Sequence, residues 1–336
     1  MVYIKYDELV KTLEKGLIKA GLNAERAAKM ADVFAGNSLE GVYSHGVNRY
    51  MRFISEVQDG TVDINAKTEI VSTFGVIEVR DAHFGIGPLN AEAAMARAVE
   101  LSREHGIACV ALRNTNHWLR PGRYGWQAAN AGVIGMCWTN TGNNMPAWGA
   151  VEPRLGNNPI VLAIPRKKGN VVVDMAMTQF AFGKLELAKL SGEQLPMYGG
   201  YDSDGNLTTD PAEIQKTRRA LPIGYWKGSG MSLALDMIAS AAALGRTTAM
   251  VSEDIQHERG VSQIFIAINF RAAVDADKAD ELLDSAVDYM LDSTPVDPES
   301  PVRYPGQNIE KIRRKNLENG VPIHEETWEK IVNYIG

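Results

Sequence analysis

The sequence predicts a mixed α/β fold in which helices pack on the faces of a β-sheet. Two patterns along the 336 residues predict this class. Apolar residues recur with a helical period through roughly the first sixty residues. From about residue 70, short β-rich runs alternate with helical segments, which is typical of helices covering a sheet. The hydrophobic fraction of 45% and the charged fraction of 23% are those of a soluble globular protein.

Three helices are predicted in the first part of the chain. In the first, Leu9, Leu13 and Leu17 recur at a spacing of four residues, which places them on one face. Asn23 is the expected N-cap of the second helix, because its side chain can accept a backbone hydrogen bond there. The third helix is expected to begin around Ser44.

The later elements alternate between strands and helices. Pro88 suits the first turn of an Ala-rich helix, and Gly106 is its expected C-terminal stop. Residues 190–222 are rich in turn-forming residues and are predicted to be an excursion from the sheet. The predicted strands cover 69–74, 76–79, 107–112, 133–139, 159–164, 171–175 and 261–270. The predicted helices cover 88–105, 123–131, 229–244 and 278–292, followed by a Pro-rich loop at 295–305 and two closing helices.

Composition excludes several classes of protein. The net charge of −6 argues against sequence-independent binding of nucleic acid. Two cysteines, Cys109 and Cys137, cannot build a disulfide framework or a four-ligand zinc site, and we expect no metal. No stretch approaches the roughly 18 uninterrupted apolar residues of a membrane span. Because Asp7 interrupts the start of the chain, where a signal peptide is apolar, we expect a cytoplasmic protein without a membrane partner.

Standard cofactor motifs are weak or missing. Gly85 and Gly87 resemble the start of a dinucleotide fingerprint, but the third glycine is missing. Pro88 follows the second glycine and has no N–H to offer a phosphate. A helix-entry turn is therefore the preferred interpretation. The sequence contains no Walker A motif, G-x-S-x-G elbow or H-E-x-x-H motif.

His45 and Arg49 are the first candidates for chemistry. One helical turn would place both side chains on the same face of the predicted third helix. A guanidinium can bind a carboxylate through two parallel hydrogen bonds, and an imidazole beside it can donate a proton to the neighbouring carbonyl oxygen. This pair predicts a site that reduces a 2-oxo acid. The alternative is an exposed histidine and arginine on a polar helix face.

His117 is the second candidate histidine. It follows a predicted strand, and ligand sites in α/β sheets favour the carboxyl ends of strands. The alternative is a loop histidine bonded to the backbone. Two amide-rich loops, residues 140–144 and 156–159, also flank strands and could approach a ligand; ordinary turn chemistry is their alternative.

Five short blocks stand out along the chain: Ser44-His45-Gly46 with Arg49, Asn114-Thr115-Asn116-His117, Gly156-Asn157-Asn158-Pro159, Val173-Asp174-Met175-Ala176 and Gly224-Tyr225-Trp226-Lys227-Gly228. With these blocks in this order, the sequence resembles the type 2 malate/L-lactate dehydrogenase family of NAD(P)-dependent oxidoreductases over essentially the whole chain. After the histidine that corresponds to His117 many relatives have glycine, whereas this chain has Trp118.

The resemblance implies a non-Rossmann NAD-binding fold. A helical module built from residues 1–70 and 295–336 would accompany a mixed α/β cofactor-binding domain at 71–294. The resemblance also implies a homodimer whose cofactor lies near the subunit interface.

The resemblance further implies roles for individual residues. His45 would be the proton donor, although His117 is treated as the acid/base in some relatives, so both are retained. Ser44 would orient His45 or contact the substrate, and Arg49 would bind its carboxylate. The implied cofactor-binding residues are Val172, Val173, Asp174, Met175, Ala176, Met177, Thr178, Trp226, Lys227, Gly306, Gln307 and Asn308.

The expected reaction is the NAD(P)H-dependent reduction of a keto sugar acid. Asp174 could bond the ribose hydroxyls and repel a 2′-phosphate, which favours NADH over NADPH; a structural helix cap is the alternative for this carboxylate. Malate, lactate and ureidoglycolate are alternative substrates within the family. A non-catalytic module that binds sugar acids or nucleotides is the alternative from another class.

Overall fold

The computed structural model describes residues 1–254 and 257–336. Its thirteen described strands are β1 Val2–Ile4, β2 Glu69–Phe74, β3 Ile77–Asp81, β4 Ile107–Asn116, β5 Ile134–Thr139, β6 Met145–Pro146, β7 Pro153–Leu155, β8 Ile160–Ile164, β9 Val171–Met175, β10 Gly200–Tyr201, β11 Leu207–Thr208, β12 Arg259–Ile268 and β13 Val321–Ile323.

Most of the α-helices in the described part of the chain lie where the apolar period predicts them. Asn23 caps the second helix by accepting the Arg26 backbone N–H at 2.9 Å. The helices are α1 Tyr6–Lys19, α2 Ala24–Leu39, α3 Tyr50–Gln58, α4 Gly87–His105, α5 Gly122–Asn130, α6 Phe182–Ser191, α7 Pro211–Thr217, α8 Trp226–Ala243, α9 Thr248–Val251, α10 Ala276–Leu291, α11 Ile309–Asn319 and α12 Glu325–Ile335. Short 3₁₀ turns cover Tyr43–His45, Val47–Arg49 and Phe270–Ala272.

A seven-stranded mixed sheet forms the centre of the structure, in the order β2-β3-β4-β12-β5-β8-β9. Strands β3 and β4 are parallel and α4 connects them, whereas the other neighbours in this sheet are antiparallel. The predicted mixed α/β class is confirmed. Only β3, α4 and β4 form a βαβ unit within this sheet. The other neighbouring strands run in opposite directions, so the alternation of strands and helices along the chain does not produce a parallel sheet.

The two ends of the chain pack around a shared apolar core. Leu9, Leu13 and Leu17 are fully buried there, together with Val321 and Ile331 from the C-terminal end. Strand β1 pairs with β13 in antiparallel fashion. The division into residues 1–70 with 295–336 and residues 71–294 stays a prediction.

The predicted start of the third helix at Ser44 is wrong. Two 3₁₀ turns meet there at Gly46, whose φ of −109° and ψ of −131° break the helical path, and α3 begins at Tyr50. Buried polar side chains of α2 hold the break: Asn37 donates to the His45 carbonyl at 2.8 Å, and Ser38 accepts the Val47 N–H at 2.9 Å. A single helical turn therefore does not relate His45 to Arg49.

The excursion at 190–222 contains more regular structure than its turn residues predict. It includes the β10–β11 hairpin and α7, neither of which is predicted from the sequence. Together with α6 it has a small core of its own around Leu185 and Ile214. A bridge between Thr178 and Pro222 joins it to the chain that follows β9.

The Gly85–Gly87 segment is a helix-entry turn that packs under the end of β4. Helix α4 begins at Gly87 with Pro88 in its first turn. A Cβ atom on Gly87 would collide with the carbonyl oxygens of Asn116 and His117. The glycine thus permits the close approach that supports the backbone at His117.

Replacing Gly87 with alanine should lower the free energy of unfolding by about 1–3 kcal/mol, the usual cost of overpacking. Chemical denaturation measures this loss. Gly142→Ala is the control, since the nearest atom to a Cβ there, Glu258 Oε2, lies at 3.6 Å, an ordinary contact distance. Equal stability of the two variants would contradict the close approach.

Candidate active site

The segment from α6 to α7, residues 182–217, is called the α6–α7 lobe. A cavity of about 600 Å³ lies where this lobe meets the 3₁₀ turns Tyr43–His45 and Val47–Arg49, the end of β4 and the end of β9. This volume is typical of a small-molecule site. The candidate residues that line it are Ser44, His45, Arg49, His117, Asp174, Met175 and Ala176. Residues distant in the sequence thus share one cavity, and the alternative of an exposed polar helix face does not apply to His45 and Arg49.

The two candidate histidines lie side by side. Their ring centroids are 5.8 Å apart and the ring planes differ by 7°. Ser44 Oγ is 3.1 Å from His45 Nδ1, so this hydroxyl can orient the ring. His117 Nδ1 accepts the backbone N–H of Leu119 at 3.1 Å. The backbone contact expected of a loop histidine is therefore present, on a ring that also lines the cavity.

Burial and positive charge keep both imidazoles neutral. Burial, with Arg49 and Arg120 nearby, lowers the pKa of His45 to about 4. Burial holds the pKa of His117 well below its ordinary range, with further lowering by Arg49, His45 and Arg52. An anion that neutralises Arg49 would remove part of this effect and raise both pKa values.

Arg49 is a charge without a counter-ion in direct contact. Within residues 1–254 and 257–336 its half-buried guanidinium makes no hydrogen bond or ion pair, while burial lowers its pKa. Arg52 and Arg120 are paired instead, with Glu56 and Glu40 respectively. An unpaired guanidinium in a cavity can bind the carboxylate of a ligand through two hydrogen bonds.

Several charged residues that line the cavity are not predicted from the sequence: Arg52, Arg120, Glu186, Arg218 and Glu258. Burial raises the pKa of the Glu258 carboxyl, which accepts the Gly142 N–H at 3.3 Å. Arg218 donates to the Asn143 carbonyl at 2.9 Å. The spacing of Arg52 from Arg49 could have indicated the first of these, whereas the others reach the cavity from distant segments.

The two amide-rich loops meet beside the cavity. Asn158 Oδ1 accepts the Thr141 N–H at 2.9 Å, and Asn144 donates to Asn157 Oδ1 at 3.0 Å. Asn144 Oδ1 is buried without a hydrogen-bond partner in the part of the chain that the structure describes. Other side-chain amides of these loops bond neighbouring elements, as Asn140 does with Asp236 Oδ1 and Asn158 with the Ser232 carbonyl, so both loops are held in place.

The end of β9 gives a mixed result for the predicted cofactor segment. Asp174 Oδ2 accepts the Gly122 N–H at 2.8 Å, so this carboxylate caps the start of α5. The helix cap given above as the structural alternative for Asp174 is therefore present, although the capped helix is distant in sequence. Burial raises the pKa of Asp174. Val172 and Met177 are buried in apolar cores and Val173 is half-buried. Thr178 Oγ1 is buried and lacks a partner among the described residues.

The other predicted cofactor residues lie outside the cavity. Trp226 and Lys227 are exposed at the start of α8. Gly306, Gln307 and Asn308 precede α11, in a loop that contacts β9 where the Val172 N–H donates to the Pro305 carbonyl at 3.0 Å. A single chain thus places Gly306, Gln307 and Asn308 near β9, but it brings neither these residues nor Trp226 and Lys227 to the cavity.

The model of the malate/L-lactate dehydrogenase family matches residues 4–332. The chain belongs to this family. It is 45% identical over 328 residues to 2,3-diketo-L-gulonate reductase from Escherichia coli O6:K15:H31 (strain 536 / UPEC), covering 98% of each chain. It is 44% identical to the enzyme of the same name from Shigella boydii serotype 4, again covering 98% of each.

Solved structures have the same fold. Malate dehydrogenase from Pyrococcus horikoshii OT3 superposes with a TM-score of 0.89 at 26% identity, covering 100% of this chain and 96% of the other. Sulfolactate dehydrogenase from Methanocaldococcus jannaschii gives 0.88 at 29% identity, covering 100% and 98%. The expected family is confirmed and the chain is an oxidoreductase. Membership in a dehydrogenase family implies a nicotinamide cofactor.

No helix among the described residues has the length and apolar character needed to cross a bilayer. No group of three or more histidine, cysteine, aspartate or glutamate side chains among them could hold a metal ion.

Replacing Arg49 with methionine should raise the pKa of His45 above its value of about 4, because one of the two cations that depress it is removed. Titration of the His45 ring by NMR measures the change. Arg52→Met is the matched control, since Arg49 and Arg120 are the charges that act on His45. An unchanged His45 pKa in Arg49→Met would show that the guanidinium does not face this ring.

Proposed function

We propose that this enzyme reduces 2,3-diketo-L-gulonate to 3-keto-L-gulonate. The observation that carries the proposal is the unpaired Arg49 guanidinium in one cavity with two neutral histidines. These groups match a 2-oxo acid, which presents a carboxylate next to a carbonyl. The relatives named 2,3-diketo-L-gulonate reductase support this particular substrate.

Substrate binding and proton uptake are coupled in this proposal. Burial is the main cause of the low pKa of His45, and the charges of Arg49 and Arg120 lower it further; the substrate carboxylate pairs with Arg49 and so offsets one of these two charges. The imidazole then holds a proton more readily when substrate is present. Ser44, 3.1 Å from His45 Nδ1, orients the ring toward the carbonyl oxygen.

The residues around β9 fit a nicotinamide cofactor. Thr178 Oγ1 is an orphaned buried hydroxyl in the predicted cofactor segment, and Asp174 adds a carboxylate that can accept hydrogen bonds from hydroxyl groups. When bound, a reduced nicotinamide would supply the hydride for the carbonyl carbon and would itself be oxidised. His45 would give its proton to the carbonyl oxygen, which completes the alcohol.

The alternatives differ in what supports them. Malate, lactate and ureidoglycolate also carry a carboxylate beside the reacting carbon, so Arg49 and His45 suit them chemically. The names of the relatives favour the keto sugar acid. A non-catalytic binding module is not retained, because the chain belongs to a dehydrogenase family.

We further propose a cytoplasmic homodimer. One face of α8 exposes large apolar side chains, including Trp226, Met231, Met237 and Ile238. A second copy would cover such a patch. The molar mass in solution tests the dimer, and a monomeric mass of 36.8 kDa would contradict it.

For the cofactor we propose NADH in preference to NADPH. The Asp174 carboxylate would repel a 2′-phosphate, so wild type should show the higher initial rate with NADH. Asp174→Asn should narrow the difference, because the amide oxygen can still accept the Gly122 N–H but carries no charge. Initial rates with both cofactors measure this. A wild-type preference for NADPH would overturn the assignment.

His45→Gln should lower kcat for 2,3-diketo-L-gulonate by about 10²–10⁴-fold, the usual contribution of a general acid. In wild type, kcat/KM for reduction should rise as the pH falls toward the His45 pKa of about 4, and the variant should lose this dependence. His105→Gln is the matched control, since His105 ends α4 with a half-exposed side chain. Near-wild-type turnover by His45→Gln would reject His45 as the proton donor.

The substrate is tested separately with the oxo acids that correspond to malate, lactate and ureidoglycolate. A higher kcat/KM for one of these than for 2,3-diketo-L-gulonate would contradict the proposed substrate.

A further inference from the structure

The hydrogen bond at His117 determines which ring nitrogen carries the proton. The Leu119 backbone N–H donates to His117 Nδ1 at 3.1 Å, so Nδ1 is an acceptor and has no hydrogen. A neutral imidazole has one donor and one acceptor nitrogen. The proton of neutral His117 therefore resides on Nε2.

The Leu119 N–H cannot easily turn away from the ring. Leu119 has a φ of +63°, a left-handed conformation that is rare for leucine. Its side chain is 4% exposed in the core shared by the chain ends, whereas that of Trp118 is 1% exposed in a core of the sheet. Tyr124 also donates to the Trp118 carbonyl at 2.6 Å. Two cores thus hold two consecutive residues and fix the turn.

The same contact opposes a second proton on His117. Protonation of Nδ1 would place two N–H groups against each other and leave the Leu119 N–H without an acceptor. Positive charge from Arg49, Arg52 and a protonated His45 ring at 5.8 Å would add repulsion. When the site takes up one proton, His45 receives it.

We infer that His117 is a permanently neutral hydrogen-bond donor whose Nε2–H binds the second oxo group of the substrate, beside the carbonyl that His45 protonates. The inference rests on the proposed function. A 2,3-dioxo acid carries a carboxylate and two neighbouring carbonyl oxygens in a row. Arg49, His45 and His117 supply one partner for each, so His117 determines specificity for substrates with oxygen on carbon 3.

The tautomer can be measured without any substrate. NMR of ¹⁵N-labelled wild-type enzyme should show Nδ1 of His117 unprotonated and Nε2 protonated throughout about pH 5–8, the range in which ordinary histidines titrate. A proton on Nδ1, or titration of His117 within this range, would overturn the inference.

Two variants separate hydrogen-bond donation from acid catalysis. Glutamine reaches about as far as Nε2 and can donate there, whereas asparagine ends near the position of Nδ1. We expect His117→Asn to lower kcat/KM for 2,3-diketo-L-gulonate on the order of tenfold more than for 2-oxobutyrate, which has no oxygen on carbon 3. His117→Gln should restore most of that ratio, and His105→Gln should leave both values unchanged.

The pH dependence distinguishes the two roles. As a donor, His117 can be replaced by glutamine without loss of the acid limb of the kcat/KM profile, which belongs to His45. Equal losses for both substrates, or loss of the acid limb in His117→Gln, would overturn the inference. If wild type reduces only oxo acids that lack the second oxo group, the proposed function and the assignment to that group both fail, while the NMR result still decides the tautomer.

Discussion

The site depends on one electrostatic constraint, a guanidinium held in a cavity without a counter-ion in contact. A charge removed from water is costly unless it is paired. Arg49 is half-buried, and the carboxylates that act on it, Glu258, Glu56 and Glu186, do so only through longer-range attraction. The protein therefore keeps a destabilising feature in its free state, and an anionic ligand relieves it.

In the proposed mechanism, this constraint also assigns different roles to the two histidines. Burial and the charge of Arg49 act on both rings, so the pKa of each lies below its ordinary value when the cavity lacks an anion. They differ in what their Nδ1 atoms contact. His45 faces a hydroxyl, which can donate or accept and so tolerates either protonation state. His117 faces a backbone N–H, which can only donate. Two similar side chains acquire different roles from their neighbours, as catalytic pairs commonly do.

Much of the fold could be predicted because the signals are local. Periodic leucines, the Asn23 cap, Pro88 at the start of α4 and Gly106 at its end each act within a few residues. The break at Gly46 could not be predicted in this way, because Asn37 and Ser38 on another helix hold it.

The candidate site shows the same limit. His45, Arg49 and His117 stood out as residue types near element ends, and the structure brings them to one cavity. Arg218 and Glu258 reach it from segments whose position depends on tertiary packing. The approach of Gly183 to Ser44, where a Cβ atom would collide, likewise depends on how the α6–α7 lobe packs. The cavity lies where this lobe, the sheet and the core of the chain ends meet, so the packing of these three parts sets the geometry around Arg49. In the proposed mechanism, a change in the packing of any of these three parts can therefore alter catalysis without touching a residue that contacts the substrate.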